Sequence, residues 1–398
     1  MKSALSRNEI DPQALRAEMP LTRNGYFNNA AASLMSRSVR DAVLGHLVLE
    51  SEIGAYEAAR QSAELLDDLY GAIAEMLRCD VDEIALTDSH SRGWASVIGA
   101  MQFGPGDRIL VSRSEWGGNY AVLSHIARTT GAVVEVMPCD QDGAVCVEEV
   151  GSMLDERVKL MAMTWLPANG GLVNPAASVG ALARAAGIPF VLDAAQAVGQ
   201  MPVDVRALNC DALTAPGRKW LRGPRGTGFL YVRREFLKRL RPRTVDHFSA
   251  PWNGSGYQAR EDARLFETSE SSVALRLGLR TAIREALSIS MEVIQERVTS
   301  LADALRSSLA EVNRVRILDL GRERSGLVSF CVDGVAAATV QERLQDMGQV
   351  VAVNGTAFTP LDMQARGLAA IVRASPQIYT TDDEVTKFVE AVRRCAAS

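Results

Sequence analysis

Short apolar runs alternate with amphipathic segments along the first two-thirds of the chain, and this pattern predicts strands that alternate with helices. We expect strands at Arg108–Ser112, Gly131–Met137, Leu160–Trp165, Pro189–Asp193, Asp211–Thr214 and Gly228–Val232. Helical spacing predicts helices at Tyr120–Thr130, Val147–Glu156 and Ala176–Ala186. Because the strands are almost continuously apolar, they indicate an α/β fold with a mostly parallel sheet sandwiched by helices.

The pattern changes after about residue 290, where long amphipathic segments surround short strands that favour antiparallel pairing. We expect helices at Met291–Val312, Ala336–Met347 and Asp382–Cys395, and strands at Arg316–Leu320, Leu327–Cys331 and Ala370–Ala374. These elements predict a smaller C-terminal α+β domain at residues 291–398 and a large domain at 31–290. Residues 1–30 are expected to pack on the small domain as an N-terminal segment.

Composition excludes several classes of protein. The 398 residues carry a net charge of −5, whereas a nucleic-acid-binding surface requires a basic excess. No apolar run is long enough to span a membrane, and the four histidines are too scattered for a metal site. The six cysteines form no C-x-x-C pair, which is typical of reduced thiols and predicts a cytoplasmic protein.

The candidate chemistry lies between residues 190 and 231. An apolar strand ends in Asp193, and Lys219 follows later in a segment that continues into the Gly/Pro-rich stretch Gly223–Gly228. A carboxylate at the carboxyl end of a parallel strand faces the crevice where α/β sheets bind ligands. Pyridoxal phosphate (PLP) needs a lysine amine for its Schiff base and an acid that keeps its ring nitrogen protonated. The two residues together therefore predict a PLP site.

Four segments of the chain resemble the ordered signature blocks of the class V aminotransferases, the cysteine-desulfurase-like group of fold-type-I PLP enzymes. They read VLDAAQAVGQMPVDV, GRKWLRGPRGTGFLYV, LFETSESSVALRLGLRTAI and VRASPQIYTTDDEV. The resemblance extends from about Tyr26 to Val392. It implies a seven-stranded, mostly parallel sheet and a homodimer with active sites near the subunit interface.

The resemblance also assigns roles to the central residues. Lys219 is expected to form the Schiff base and to move the proton at the substrate's Cα. Asp193 is expected to pair with the pyridine nitrogen, and Gln196 to contact the phenolic oxygen of the ring. The stacking residue of the family corresponds to Trp116, in Glu115–Asn119.

The phosphate-binding turn of the family corresponds to Ser89, His90 and Ser91, between an expected strand at Glu83–Leu86 and a following helix. The N–H groups at the start of a helix form an anion site, which agrees with that assignment. The family often has Ser or Thr three residues before the lysine and His directly before it, whereas this chain has Pro216 and Arg218. Since proline cannot donate to phosphate, we expect Arg218 to make that contact.

Two further residues are expected to face the substrate. Arg373 matches the arginine that binds the substrate α-carboxylate, and its fork of donors suits that group. Asn169 occupies a position where an Asn of the family faces cofactor or substrate.

The segment Val350–Arg366, where a cysteine desulfurase carries its persulfide cysteine, contains no Cys. The chain is more similar to the isopenicillin-N-epimerase-like branch, and within it to the hercynylcysteine sulfoxide lyases. We therefore favour a C–S lyase that acts by β-elimination through an external aldimine and Cα deprotonation. An aminotransferase and an amino-acid epimerase or racemase remain alternatives, and a non-catalytic scaffold with the PLP fold is an alternative of another class.

Overall fold

The computed structural model describes residues 5–6, 9–19 and 25–397. Its strands are β1 (Leu5–Ser6), β2 (Glu9–Ile10), β3 (Ile84–Thr87), β4 (Arg108–Val111), β5 (Val133–Val136), β6 (Val158–Thr164), β7 (Phe190–Asp193), β8 (Ala212–Pro216), β9 (Gly228–Val232), β10 (Val315–Ile317), β11 (Val328–Val332), β12 (Ala352–Gly355) and β13 (Ala370–Ala374). Its helices are α1 (Pro12–Ala17), α2 (Arg37–Ile53), α3 (Ala55–Gln61), α4 (Ala63–Leu77), α5 (His90–Gly99), α6 (Gly117–Thr130), α7 (Val147–Gly151), α8 (Ala176–Ala186), α9 (Arg234–Leu237), α10 (Val273–Ile289), α11 (Met291–Ala310), α12 (Ala337–Asp346), α13 (Pro360–Ala365) and α14 (Asp382–Ala397).

A seven-stranded sheet forms the centre of the molecule, in the order β3-β9-β8-β7-β6-β4-β5. Strands β4 to β8 pair in parallel, and β9 runs antiparallel to both of its neighbours. The predicted mostly parallel sheet is confirmed. Since β3 is antiparallel to β9, it runs in the same direction as β8, and its carboxyl end lies at the same edge of the sheet.

Successive side chains of each strand point to opposite faces of the sheet, so each strand contributes to two hydrophobic cores, one on each face. Leu110 of β4 packs in the core that contains α4 and α8 residues. Its neighbours Ile109 and Val111 pack in the other core, with residues of α5 and α6. Because both faces are covered, the central strands are buried along their whole length, which explains their unbroken apolar sequence.

The C-terminal part contains a four-stranded antiparallel sheet in the order β10-β11-β13-β12. The antiparallel pair predicted there is confirmed. Helix α10 ends at Ile289 and α11 begins at Met291, so a single residue, Ser290, separates them at the predicted boundary between the domains. The domain boundaries themselves stay a prediction. Within residues 5–397, excluding 7–8 and 20–24, no helix is long and apolar enough to cross a membrane.

The predicted packing of residues 1–30 lies in part outside the described residues. Within the described part, Arg16 forms a 2.6 Å ion pair with Glu384 of α14. Farther along, the backbone N–H of Phe27 donates to the carbonyl of Val350 at 2.8 Å. The described part of the segment therefore contacts two places in the C-terminal part of the chain, α14 and the residues just before β12.

Several predicted boundaries were wrong. Helix α6 begins at Gly117 and not at Tyr120, because two glycines let the chain turn into a helix close to its neighbours. A Cβ on Gly117 would overlap the carbonyl oxygen of Ala357, and one on Gly118 would overlap the Trp116 ring. Helix α7 ends at Gly151 and not at Glu156, because Gly151 and Ser152 interrupt the helical pattern.

Candidate active site

The predicted site residues gather at one edge of the seven-stranded sheet, where β6, β7 and β8 end side by side and β3 ends beyond the antiparallel β9. Eight of the ten line one pocket: Ser89, His90, Ser91, Trp116, Asp193, Gln196, Arg218 and Lys219. The other two, Asn169 and Arg373, join the pocket through Ala168, which also lines it. The chain therefore builds one site from residues that lie far apart in sequence, at the place where α/β sheets bind ligands.

Asp193 ends β7 and is 2% exposed. Asn119 Nδ2 donates to its Oδ2 at 2.7 Å, the Ala195 N–H donates to its Oδ1 at 2.8 Å, and His90 Nε2 lies 3.2 Å from Oδ2. Burial acts to raise the pKa of Asp193, but His90 and Lys219 outweigh it and hold that pKa below its usual range. The carboxylate is therefore ionised at neutral pH.

Lys219 follows β8 in the loop that begins at Gly217. Burial lowers the pKa of its amine to about 7; the charges of Arg218 and Arg373 act in the same direction, and Asp193 opposes them. A large fraction of the amine is therefore neutral near pH 7. Only the neutral amine can attack a carbonyl carbon or accept a proton.

The turn between β3 and α5 presents a helix start to the pocket. Ser89 caps α5 by accepting a 3.2 Å hydrogen bond from the Arg92 N–H. Among the described residues, the N–H groups of His90 and Ser91 have no hydrogen-bond partner. Arg218 is half-buried beside this turn, and no carboxylate of the described chain pairs with it. The helix start and this guanidinium together form a site for an anion.

A second buried carboxylate, which the sequence did not single out, lies next to Asp193. Glu115 accepts hydrogen bonds from Ser112 Oγ, Thr164 Oγ1 and Asn119 Nδ2 at 2.7–3.0 Å. Burial and the charge of Asp193 raise the pKa of Glu115 to about 7. Glu115 and Asn119 belong to the sequence block that contains Trp116, but their connection to Asp193 needs the three-dimensional structure.

Arg373 comes from β13 of the C-terminal sheet and is 3% exposed. Its Nη1 donates to the Ala168 carbonyl at 2.7 Å, and Nη2 lies 3.5 Å from Asn28 Oδ1. Its buried Nε has no partner, and no carboxylate of the described chain pairs with it. Burial lowers the pKa of this guanidinium to about 10. A buried cation without a counter-ion suits an anionic ligand.

Asn169 is buried, and both ends of its amide are hydrogen-bonded. Its Nδ2 donates to Thr359 Oγ1 at 2.9 Å, and its Oδ1 accepts from Asn354 Nδ2 at 2.8 Å. Both of its polar ends are thus engaged with the C-terminal part. Asn354 Nδ2 also donates to the Ala168 carbonyl that Arg373 contacts, at 3.2 Å. A direct contact of Asn169 with a ligand stays a prediction.

Trp116 and Gln196 complete the pocket wall. The Trp116 ring lies edge-on to His90, with centroids 5.7 Å apart. Gln196 donates from Nε2 to the Ala30 carbonyl at 3.0 Å and accepts from Trp220 Nε1 at 2.8 Å. One hydrogen of its amide is left for a ligand.

These residues fit PLP on four points. Lys219 offers a neutral amine for the aldehyde, and the helix start with Arg218 offers an anion site for the phosphate. Among the described residues, Asp193 Oδ1 accepts only from Ala195, which leaves a lone pair for a ring N–H. Trp116 offers a flat aromatic face on the same pocket.

The segment Val350–Arg366 is folded, without a cysteine. It contains β12, a single turn at Thr356–Phe358 and α13. Thr359 is fully buried and accepts the hydrogen bond from Asn169. None of the six cysteines, all of which are described and unpaired, is among the residues that line the pocket.

Comparisons with known proteins agree with this geometry. The model of the family described as Aminotransferase class-V matches residues 25–388. A probable hercynylcysteine sulfoxide lyase of Mycobacterium tuberculosis is 30% identical over 389 residues, 96% of this chain and 93% of that protein. An apo cysteine desulfurase of Thermococcus onnurineus NA1 has a TM-score of 0.90 at 24% identity, covering 99% of each chain. A variant of the cystine C–S lyase C-DES, with glycine covalently linked to the PLP cofactor, has a TM-score of 0.85 at 22% identity, covering 95% of this chain and 98% of that one.

Proposed function

The chain belongs to the class-V aminotransferase family of PLP-dependent enzymes, and we propose that it cleaves the carbon–sulfur bond of a cysteine-derived amino acid by β-elimination. The observation that carries this proposal is a pocket that is lined by Lys219, whose pKa is lowered to about 7, and by no cysteine, with the buried Arg373 adjoining it through Ala168. Such a site can release sulfur from the substrate but has no thiol to receive it. The similarity to a probable hercynylcysteine sulfoxide lyase supports an S-substituted cysteine or its sulfoxide as the substrate class.

The residues divide the work as follows. When bound, PLP supplies an electron sink that stabilises negative charge at the substrate's α-carbon. Arg373 binds the α-carboxylate through its free donor positions. Lys219 Nζ accepts the proton from Cα. Asp193 holds the proton on the ring nitrogen of the cofactor, and the helix start at Ser89 with Arg218 binds its phosphate.

The bonds balance with water as the one further reactant. The electron pair of the Cα–H bond forms a Cα–Cβ double bond, and the sulfur leaves Cβ with the electrons of the C–S bond. Water then converts the released enamine into pyruvate and ammonia. No persulfide on the protein is required at any point.

The test is a panel of substrates with the PLP-loaded enzyme. S-substituted cysteines, their sulfoxides and ordinary amino acids are assayed for pyruvate, for other keto acids and for the inverted amino acid. We expect pyruvate together with a sulfur product in equal amounts. A keto acid that retains the side chain would indicate an aminotransferase, and the inverted amino acid would indicate an epimerase.

A matched variant separates direct elimination from a persulfide mechanism. We expect the protein with all six cysteines changed to Ala to keep its turnover, since none lines the pocket. Ala is preferred to Ser at the buried Cys210 and Cys395, where an unpaired hydroxyl would be costly. A folded, PLP-loaded variant without activity would instead support thiol chemistry.

We further propose a homodimer with active sites near the subunit interface. Helix α2 exposes a row of apolar side chains: Leu44 is 52%, Leu47 is 46% and Val48 is 54% exposed. Their spacing places them on one face of the helix, and such a face favours contact with another subunit. Light scattering of the purified protein tests the assembly. The cytoplasmic location stays a prediction.

A further inference from the structure

His90 lies among three polar side chains at the base of the pocket. Its Nε2 is 3.2 Å from Asn119 Oδ1 and 3.2 Å from Asp193 Oδ2. Its Nδ1 is 2.7 Å from Thr214 Oγ1. The ring is 5% exposed, so each nitrogen requires a protein partner. The side chain of His90 is therefore directed at Asp193, and its backbone N–H is the part that the helix start presents to an anion.

The hydrogen bonds of Asn119 determine which nitrogen of His90 carries the hydrogen. Asn119 Nδ2 donates to Glu115 Oε1 at 2.8 Å and to Asp193 Oδ2 at 2.7 Å. Two carboxylates can face only the amino group of the amide, so its oxygen must face His90. A carbonyl oxygen accepts hydrogen bonds, and His90 Nε2 must therefore be an N–H donor.

Thr214 completes the assignment from the other side of the ring. Nδ1 faces the Thr214 hydroxyl at 2.7 Å, and Oγ1 has no other hydrogen-bond partner in the described chain. A hydroxyl can donate to Nδ1 of the neutral ring or accept from Nδ1–H of the protonated ring, so it holds the imidazole with hydrogen on Nε2 in either charge state. Thr214 belongs to β8, beside β7 in the sheet, and pairs in register with Asp193. Adjacent strands thus hold both Asp193 and the residue that orients its neighbour.

We propose that His90 is a positioning residue, held by Thr214 with its hydrogen on Nε2, that orients the Asp193 carboxylate and stabilises its negative charge for the ring nitrogen of the cofactor. With Oδ2 engaged by His90 and Asn119, Oδ1 is left to accept from that nitrogen. This inference rests on the proposed role of Asp193. It gives the side chain of His90 a role of its own, beside the place of its backbone N–H in the phosphate-binding turn.

The other charged groups near this pair are few. Glu115 reaches it through Asn119, and Lys219 acts on Asp193 across the pocket. Arg218 and Arg373 act on Lys219. A test that varies the pH must therefore leave Glu115, Lys219, Arg218 and Arg373 unchanged. It should alter only His90 and the residues that bond to its imidazole.

The experiment compares Thr214→Val, Thr214→Ser, His90→Phe and Asp193→Asn in the PLP-loaded enzyme. Valine has the shape of threonine without the hydroxyl, and serine restores the hydroxyl. The readouts are the dissociation constant of PLP and the pH dependence of the visible absorbance of the bound cofactor. The chain has only four histidines, so imidazole ¹⁵N spectra assigned with His90→Phe also report the tautomer.

We expect His90→Phe to weaken PLP binding about 10- to 100-fold, as for a lost hydrogen bond to a charged group, and to move the absorbance profile in the direction of Asp193→Asn. Thr214→Val should move it in the same direction and reduce the Nε2–H signal of His90, while Thr214→Ser behaves as the native chain. In the Asp193→Asn background, His90→Phe should add little.

Three results would overturn the inference. In the first, His90→Phe and Thr214→Val lower thermal stability, but the pH dependence of the cofactor absorbance stays the same as in the native enzyme. In the second, the ¹⁵N spectra place the hydrogen of His90 on Nδ1. In the third, Asp193→Asn itself leaves the profile and the PLP affinity unchanged, which would remove the proposed role of Asp193 as well.

Discussion

Replacement of Arg373 by methionine should separate activity from stability. The native guanidinium is 3% exposed and meets only the Ala168 carbonyl and Asn28 within the described chain, with no carboxylate. A buried charge without a counter-ion is costly, and an apolar side chain of similar length removes that cost. We therefore expect the cofactor-free Arg373→Met protein to unfold at the same temperature as the native protein or at a higher one.

Activity should change in the opposite direction. Two charge-assisted hydrogen bonds to a substrate carboxylate contribute ~1.5–3 kcal/mol each. Their loss amounts to ~3–6 kcal/mol, which corresponds to a decrease of about 10²- to 10⁴-fold in kcat/KM. Arg373→Lys keeps a charge but not the planar fork, and a smaller loss of about 10- to 100-fold is expected.

The assay compares a cysteine conjugate with its carboxamide, which lacks the anionic carboxylate. The native enzyme should prefer the acid strongly, and Arg373→Met should lose most of this preference. Arg316→Met is the matched control, because Arg316 belongs to the same sheet but is exposed and paired with Asp333. An equal loss for acid and carboxamide, or no loss for either, would refute the assignment of Arg373 to the carboxylate.

Two further predictions concern the cofactor. Trp116→Ala should weaken PLP retention in equilibrium dialysis roughly twofold to tenfold, because stacking on an aromatic ring contributes ~0.5–1.5 kcal/mol beyond burial. Trp116→Phe should keep most of the native PLP affinity, whereas an unchanged affinity in Trp116→Ala would indicate that Trp116 only packs. The rate at which cofactor-free protein captures PLP should rise with pH through about 7, since only the neutral amine of Lys219 reacts. Asp193 raises that pKa, so Asp193→Asn should shift the rise to lower pH, and a shift to higher pH would contradict this electrostatic account.

The centre of the site could be predicted from the sequence because its signals are local. Asp193 ends an apolar strand, and Lys219 precedes a run of Gly and Pro residues, so both patterns are visible along the chain. Helix α8 and strand β9 were predicted with their observed bounds for the same reason, since Gly187 ends the helix with a positive φ and turn residues surround the strand.

The connections between site residues could not be predicted in this way. His90 meets Asp193 only because the sheet order places β3, β9, β8 and β7 side by side. Arg373 reaches the pocket because β13 of another sheet lies against the loop that contains Ala168. Spacing along a chain carries no information about strand order. The predicted phosphate turn therefore named His90, but the direction of its side chain had to come from the structure.

The most direct test of the account is to find the lysine that binds PLP. The loaded enzyme is reduced with borohydride, digested and analysed by mass spectrometry. The chain has five lysines, at positions 2, 159, 219, 238 and 387, so the peptides distinguish them all. The account predicts a single pyridoxyl label on Lys219, absent in Lys219→Ala, while a label on another lysine, or its persistence in Lys219→Ala, would contradict the proposed site.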